Sequence, residues 1–428
     1  MKRFTSSQLL RNIFAVASGT AAAQVIVVVF SPLITRIYSP DIFGLQGVFL
    51  SFIAILSPVA ALRYPMAIIN AATDAEAIQL FRLSLFIAGI ITSFLFLILL
   101  AGGPILPNLL GLEGLGSLVM FLPFALFAVV LQDVTLNRAA RLGKFRLVGL
   151  VAVMQAFVSN LARVIGGLVI PIAAILVAVS TLAPAIKALM LQLGSRELRG
   201  PVPGLNWDQA RALLHDHRDF PLFRMPTDVL NAASQAIPVI LLAVLYSPTE
   251  AGFYALARSI VNMPSNVISQ AIGNVLYARF AEMSRQGQQL LPLLLRATFA
   301  LLALAPVIIG LAWFSPIIFT YVFGDEWREA GHYARWMVLW TGIALANVPA
   351  VRLTPVIRAQ RLLLYANVLM LSLRVAAISG SAWVGSNARD AVATFSVVSL
   401  LANVALVAVI VWRSSRWDKS SFGGSAKK

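Results

Sequence analysis

The sequence predicts an all-α membrane protein, with about 12 transmembrane helices in two pseudo-symmetric six-helix lobes around a central cavity. Three observations carry this expectation. First, 59% of the 428 residues are hydrophobic and only 12% are charged, with a mean hydropathy of +0.86; soluble domains carry roughly twice that share of charge. Second, apolar residues fall in long charge-free stretches, among them 12–35, 42–62, 83–112, 297–324 and 391–412. Each exceeds the ~18 residues that cross a bilayer as helix. Third, the two halves of the chain repeat. A soluble enzyme, a nucleic-acid binder and a secreted disulfide scaffold are excluded. The absence of cysteine also removes thiolate nucleophiles and thiolate metal sites.

Length and charge divide the chain into spans at 12–34, 43–62, 83–101, 115–135, 148–169, 172–190, 224–245, 251–275, 293–314, 333–351, 362–384 and 391–412. Of 33 Lys and Arg, 25 fall at the termini and even-numbered junctions; the odd-numbered junctions hold only Arg36, Arg328, Arg335 and Arg389. Cationic loops stay in the cytoplasm, so both termini are expected there. The same bias accounts for most of the net charge of +16 without a nucleic-acid partner. Lys2, Arg3 and Ala21-Ala22-Ala23 imitate a secretory signal. The apolar run continues through Phe30, too long for a signal core, so no cleavage is expected.

The longest hydrophilic stretch, 194–223, contains Arg-Gly-Pro-Val-Pro-Gly at 199–204, a linker composition. The expected plan is an N-terminal lobe 1–193, a cytoplasmic linker 194–223, a C-terminal lobe 224–412 and a basic cytoplasmic tail 413–428. Tyr38-Ser39-Pro40 follows span 1 and Tyr246-Ser247-Pro248 follows span 7, an offset of 208. At an offset of 211, Arg141 matches Arg352, and Arg163-Val164 matches Arg374-Val375. Six spans per copy give both copies one orientation, the parallel-repeat plan of many transporters, with substrate between the bundles.

Four cations lie inside spans, away from the junction ends that hold Arg224, Arg296 and Arg335: Arg163, Lys187, Arg258 and Arg374. An arginine at the bilayer centre costs roughly 2.5–3.5 kcal/mol on insertion scales, so it faces a partner or a watery cavity. Lys187 is near a span end and can snorkel. Counted along their helices, the three arginines reach a similar depth in the periplasmic half. Asp133 and Asp228, near the cytoplasmic ends of spans 4 and 7, are too far away in depth to neutralise them and are candidates for binding a coupling proton or sodium ion. Gln155, Ser159 and Arg163 share one helix face, Arg258 and Asn262 another, and Asn367 and Arg374 a third. Interhelical hydrogen bonding could also explain the neutral members. The arginines, with Asn262, Asn367, Gln155 and Ser159, are the expected substrate contacts.

His215-Asp216-His217 with Asp219 superficially resembles a metal cluster, but on a helix the two histidines diverge, and no metal is expected. No Gly-x-x-x-x-Gly-Lys-[Ser/Thr] is present to bind a nucleotide phosphate, and no cofactor is expected beyond a coupling H+ or Na+.

Residues 219–223 (Asp-Phe-Pro-Leu-Phe), 251–258 (Ala-Gly-Phe-Tyr-Ala-Leu-Ala-Arg) with Met263-Pro264, and 323–331 (Phe-Gly-Asp-Glu-Trp-Arg-Glu-Ala-Gly) resemble segments of bacterial Wzx-type polysaccharide flippases. These belong to a superfamily that also holds multidrug exporters and cell-wall lipid flippases. The resemblance implies a non-enzymatic flippase of the cell inner membrane. It would move undecaprenyl-diphosphate-linked oligosaccharide to the periplasmic leaflet for O-antigen, lipopolysaccharide or exopolysaccharide synthesis. Its implied partners are the lipid-linked oligosaccharide, membrane lipids, and the polymerase and glycosyltransferases of the same pathway. Related drug exporters usually carry a carboxylate in the first helix, which 12–35 lacks. An exporter of a small anion or drug and a membrane-embedded glycosyltransferase or polymerase are the alternatives.

The charge count makes a direct prediction. Alkaline phosphatase fused after Ser247 or Gly331 should be active in colonies, and fused after Gly204 or Arg285 it should be silent; activity after Gly204 contradicts the two-lobe topology.

Overall fold

The computed structural model describes residues 6–103, 113–199, 204–303, 305–357 and 359–422. Residues 200–203 of the expected linker and the terminal residues 1–5 and 423–428 lie outside them. The chain is helical throughout, without strands among the described residues. The long helices of the first half are α1 (Ser6–Ile37), α2 (Pro40–Ala60), α3 (Asp74–Gly102), α4 (Leu122–Arg141), α5 (Phe145–Val169) and α6 (Ala173–Gly194). Those of the second are α7 (Met225–Leu245), α8 (Pro248–Arg285), α9 (Leu291–Leu302 with Ala305–Trp313), α10 (Arg328–Ala346), α11 (Gln360–Trp383) and α12 (Ala388–Phe422). Eleven described helices are long and apolar enough to cross a membrane. The twelfth, α8, falls below that hydropathy because Arg258, Asn262, Asn266 and Ser269 interrupt it. Its 38 residues still reach about 57 Å at the helical rise.

The repeated Tyr-Ser-Pro phrase is a helix start. Ser39 and Ser247 are both extended N-caps, followed by Pro40 and Pro248 at the first helical position, where a missing N–H costs nothing. The Ser247 hydroxyl accepts from the Glu250 amide at 3.3 Å. At α3 the cap is reciprocal: Thr73 Oγ1 accepts from the Glu76 amide at 3.1 Å, and the Glu76 carboxylate accepts from the Ala72 amide at 2.8 Å.

The contacts divide the chain into two compact units, Met1–Ala236 and Ile237–Lys428, so the division falls within α7. In the first unit α4 packs on α2, α3 and α6, and α5 on α6. In the second α10 packs on α8, α9 and α12, and α11 on α12, which is the same pairing six helices later. The repeat visible in the sequence is thus a repeat of packing. The expected linker contains a helix, Trp207–Asp216, whose Trp207 meets Phe86 of α3 edge-on at 4.9 Å. The segment 413–422, expected as tail, continues α12. There the buried Asp418 carboxylate accepts from the Leu290 and Leu291 amides and so caps the start of α9.

Small residues set the tightest approach, as they do where lipid gives apolar side chains no reason to associate. A Cβ on Gly19 of α1 would stand 2.4 Å from the Gly149 Cα of α5, so these backbones touch. Gly19→Leu should therefore lower thermal stability in detergent by about 1–3 kcal/mol, the scale of an overpacked core. Gly89→Leu, where a Cβ meets nothing within 4 Å, should leave the melting temperature unchanged.

Candidate functional site

In the first unit, Arg163 sits three-quarters of the way along α5. Its Nη1 reaches the Asn160 Oδ1 at 3.5 Å, and the Asn160 amide nitrogen is itself committed to the Ala156 carbonyl at 2.7 Å. The Tyr38 hydroxyl donates to the Arg163 carbonyl at 2.9 Å. Burial raises the Tyr38 phenol pKa, with the Arg163 charge acting against it, so it stays a neutral donor. Gly167 leaves room for this ring, since a Cβ there would stand 2.6 Å from it. Arg163 Nε is buried without a partner among the described residues, and no carboxylate among them lies within ion-pair distance. One turn below, Gln155 donates to the buried Ser159 hydroxyl at 2.9 Å. Of the residues expected on this face of α5, Gln155 and Ser159 are bonded to each other, and Arg163 turns to Asn160 instead.

In the second unit, Arg374 of α11 and Arg258 of α8 come together, near enough to act on each other's charge. Arg374 Nε donates to the buried Ser399 hydroxyl of α12 at 3.2 Å. The Arg374 guanidinium lies 5.3 Å from the Trp340 ring centre and 5.6 Å from that of Phe395. Tyr254, Phe395 and Trp340 pack edge to face at about 6 Å around it. A cation over an aromatic face returns roughly 0.5–2 kcal/mol. That offsets only part of the 2.5–3.5 kcal/mol an intramembrane arginine costs by insertion, roughly speaking. Asn262 and Asn367 are half-buried on the same two helices.

The two predicted acids converge, which depth alone did not foretell. Arg63 Nε lies 2.8 Å from Asp228 Oδ2, and Arg63 Nη1 lies 4.0 Å from Asp133 Oδ2. Arg224, one turn before Asp228, adds a second contact to it at 3.1 Å. Lys187, expected only to snorkel, stands within electrostatic reach of Asp133. Arg63 holds this position with a left-handed backbone, φ 62°, directly after Leu62 at φ 50°. Such conformations cost about 1–3 kcal/mol each outside glycine. The chain tolerates them where they aim one guanidinium at two carboxylates.

The sequence reading passed over the aromatic frame of Arg374 and over Glu250. Trp340 and Phe395 carry no polar signal and look like ordinary span residues. Glu250 lies in the first turn of α8 and accepts a hydrogen bond from the buried Tyr333 hydroxyl; the Ser-x-x-Glu spacing was the available sign. Of the histidines weighed as metal ligands, His217 contacts Glu76 at 3.2 Å, and His215 is exposed.

The family follows from comparison. A family model described as polysaccharide biosynthesis protein matches residues 33–332, most of the chain. The chain belongs to that family. Its fold is that of multidrug/oligosaccharidyl-lipid/polysaccharide (MOP) superfamily transporters. An inward-facing multidrug resistance MATE family transporter of that superfamily is similar at TM-score 0.71 and 15% identity, over 98% of each chain. The lipid II flippase MurJ, in an inward closed conformation, is similar at TM-score 0.72 and 11% identity, over 95% of this chain and 90% of that one. A MOP superfamily transporter from Pyrococcus furiosus with a binding pocket of reverse polarity aligns at TM-score 0.60 and 13% identity, over 98% of this chain and 99% of that one. No curated protein sequence matches the chain. At these identities the structures speak for the fold of a multi-pass membrane transporter, and the family model for polysaccharide biosynthesis.

Proposed function

We propose that this polysaccharide biosynthesis protein flips undecaprenyl-diphosphate-linked oligosaccharide from the cytoplasmic to the periplasmic leaflet of the inner membrane by alternating access. The observation that carries this reading is the set of guanidiniums inside apolar spans: Arg163 with an unpartnered Nε, and Arg258 beside Arg374 in an aromatic frame. A diphosphate supplies paired oxygens that guanidinium grips through parallel hydrogen bonds. Gln155, Ser159, Asn262 and Asn367 are amide and hydroxyl partners of the kind a sugar takes. The polyprenyl tail stays in the bilayer while the head group is carried, so no bond is made or broken and no catalytic residue is needed. The sugars would pass to a polymerase of the same pathway. Export of a small anion would use the same arginines, and the lipid-linked substrate is favoured by the family's part in polysaccharide biosynthesis.

Each of Arg163→Ala, Arg258→Ala and Arg374→Ala should reach the membrane at normal level, because removing an intramembrane charge lowers insertion cost. Each should abolish surface polysaccharide in a flippase-null strain, normalised to membrane-resident protein. Lysine should rescue only in part, having charge without the planar fork. Normal polysaccharide from the triple alanine variant contradicts the proposal.

The acids that share Arg63 are the proposed coupling site. A proton or sodium ion at Asp133 or Asp228 competes with Arg63 for the carboxylate, and so loosens or restores an ionic tie at the foot of the first unit. Asp133→Asn and Asp228→Asn should each slow polymer export at constant protein level. Full complementation by the double variant removes the coupling role while leaving the arginine prediction standing.

A further inference from the structure

The second unit contains a cavity of about 500 Å³ away from the arginine pair, lined by Ser269 and Tyr277 of α8, by Asn347, Arg352 and Thr354 after α10, and by Leu363 of α11. Its lining is mixed, with one cation, one exposed aromatic ring and several neutral hydrogen-bonding groups. Two of its features are left over from folding.

The first is a buried acceptor. Asn403 of α12 donates its side-chain nitrogen to the Ser399 carbonyl at 2.8 Å, and a carbonyl can only accept. Asn403 therefore presents its oxygen to Asn347, which must answer with its own nitrogen, at 3.1 Å. That order fixes the Asn347 amide and leaves its Oδ1 without a donor among the described residues, although Asn347 is only 5% exposed. An unsatisfied buried acceptor costs about 1–3 kcal/mol unless a donor arrives. The same chain of bonds continues from Ser399 to Arg374, so the cavity wall and the Arg374 guanidinium are braced by one helix face.

The second is Arg352. Its repeat mate Arg141 is spent on structure, donating to the carbonyls of Ile68, Ile69 and Ala71 and pairing with Asp74. Arg352 makes no ion pair among the described residues. Instead its guanidinium approaches α8 at Gly273, where a Cβ would stand 2.6 Å from its Nε. The glycine makes room for the charge at the cavity wall.

We propose that this cavity binds a pyranose ring of the head-group oligosaccharide. A sugar hydroxyl donates to Asn347 Oδ1, other hydroxyls accept from the forked N–H groups of Arg352, and the apolar face of the ring rests on Tyr277. A bare phosphate would bring no donor for Asn347 and no face for the tyrosine, and the diphosphate is held elsewhere, by Arg258 and Arg374. This rests on the proposed function, and places recognition of the sugar apart from recognition of the diphosphate by Arg258 and Arg374.

The test measures binding of two probes to the full-length protein in nanodiscs: bare undecaprenyl diphosphate, and the same lipid carrying the host's own repeat unit, extracted from a flippase-null strain. The wild type should bind the glycosylated lipid more tightly by at least about tenfold, the scale of a charge-assisted hydrogen bond. Tyr277→Ala, Arg352→Ala and Gly273→Ala should each erase that preference while leaving the bare lipid's affinity unchanged. Tyr277 is exposed and Gly273→Ala only displaces the tip of Arg352, so both variants fold. Arg374→Ala should weaken both probes. Retention of the sugar preference by all three cavity variants overturns this proposal and leaves the flippase reading intact. Failure of the wild type to bind either lipid overturns that reading itself, and this proposal with it.

Discussion

Guanidinium groups inside apolar helices are the constraint on which the other features of this protein depend. Each arginine must be hydrated, paired or faced by aromatic rings, because the hydrocarbon layer supplies nothing to a cation. The chain uses local devices for this, with Asn160 one turn from Arg163, and Ser399, Trp340 and Phe395 around Arg374. None of these neutralises the charge. On the proposed function, the groups these guanidiniums meet are the oxygens of a lipid diphosphate.

The two units show how one duplicated plan is spent differently. Tyr38 and Tyr246 begin the same phrase, yet Tyr38 is bonded to the Arg163 carbonyl, whereas the Tyr246 hydroxyl is buried without a partner among the described residues. Arg141 closes helix ends, and Arg352 lies at a cavity. The packing of the fourth helix of each copy on the second, third and sixth, and of the fifth on the sixth, recurs between the copies and is set by apolar and small residues. The polar positions, which packing does not need, are where the copies have diverged.

Much of the fold was legible because bilayer thickness imposes length and composition on each span. Even α8, too polar to qualify by hydropathy, was found from the alternation of basic junctions. The arginines stand out in the sequence for the same reason, since a charge in an apolar run needs a partner or water. The convergence of Asp133 and Asp228 on Arg63 was not legible: it depends on a left-handed backbone at two non-glycine residues. Nor could a single sequence show that Trp340 and Phe395 frame Arg374, because in an apolar span an aromatic ring carries no periodic signal. The Asn347–Asn403 pair joins positions 56 residues apart, a register that only tertiary packing sets.

The most direct measurement follows leaflet exchange in proteoliposomes containing the purified protein and nothing else. One lipid carries the oligosaccharide through a diphosphate, and a second carries the same oligosaccharide on an uncharged polyprenol ether, each scored by accessibility of the sugar to an external lectin. The predicted result is exchange of the diphosphate lipid and none of the neutral one. Equal exchange of both lipids would contradict the role given to the intramembrane arginines.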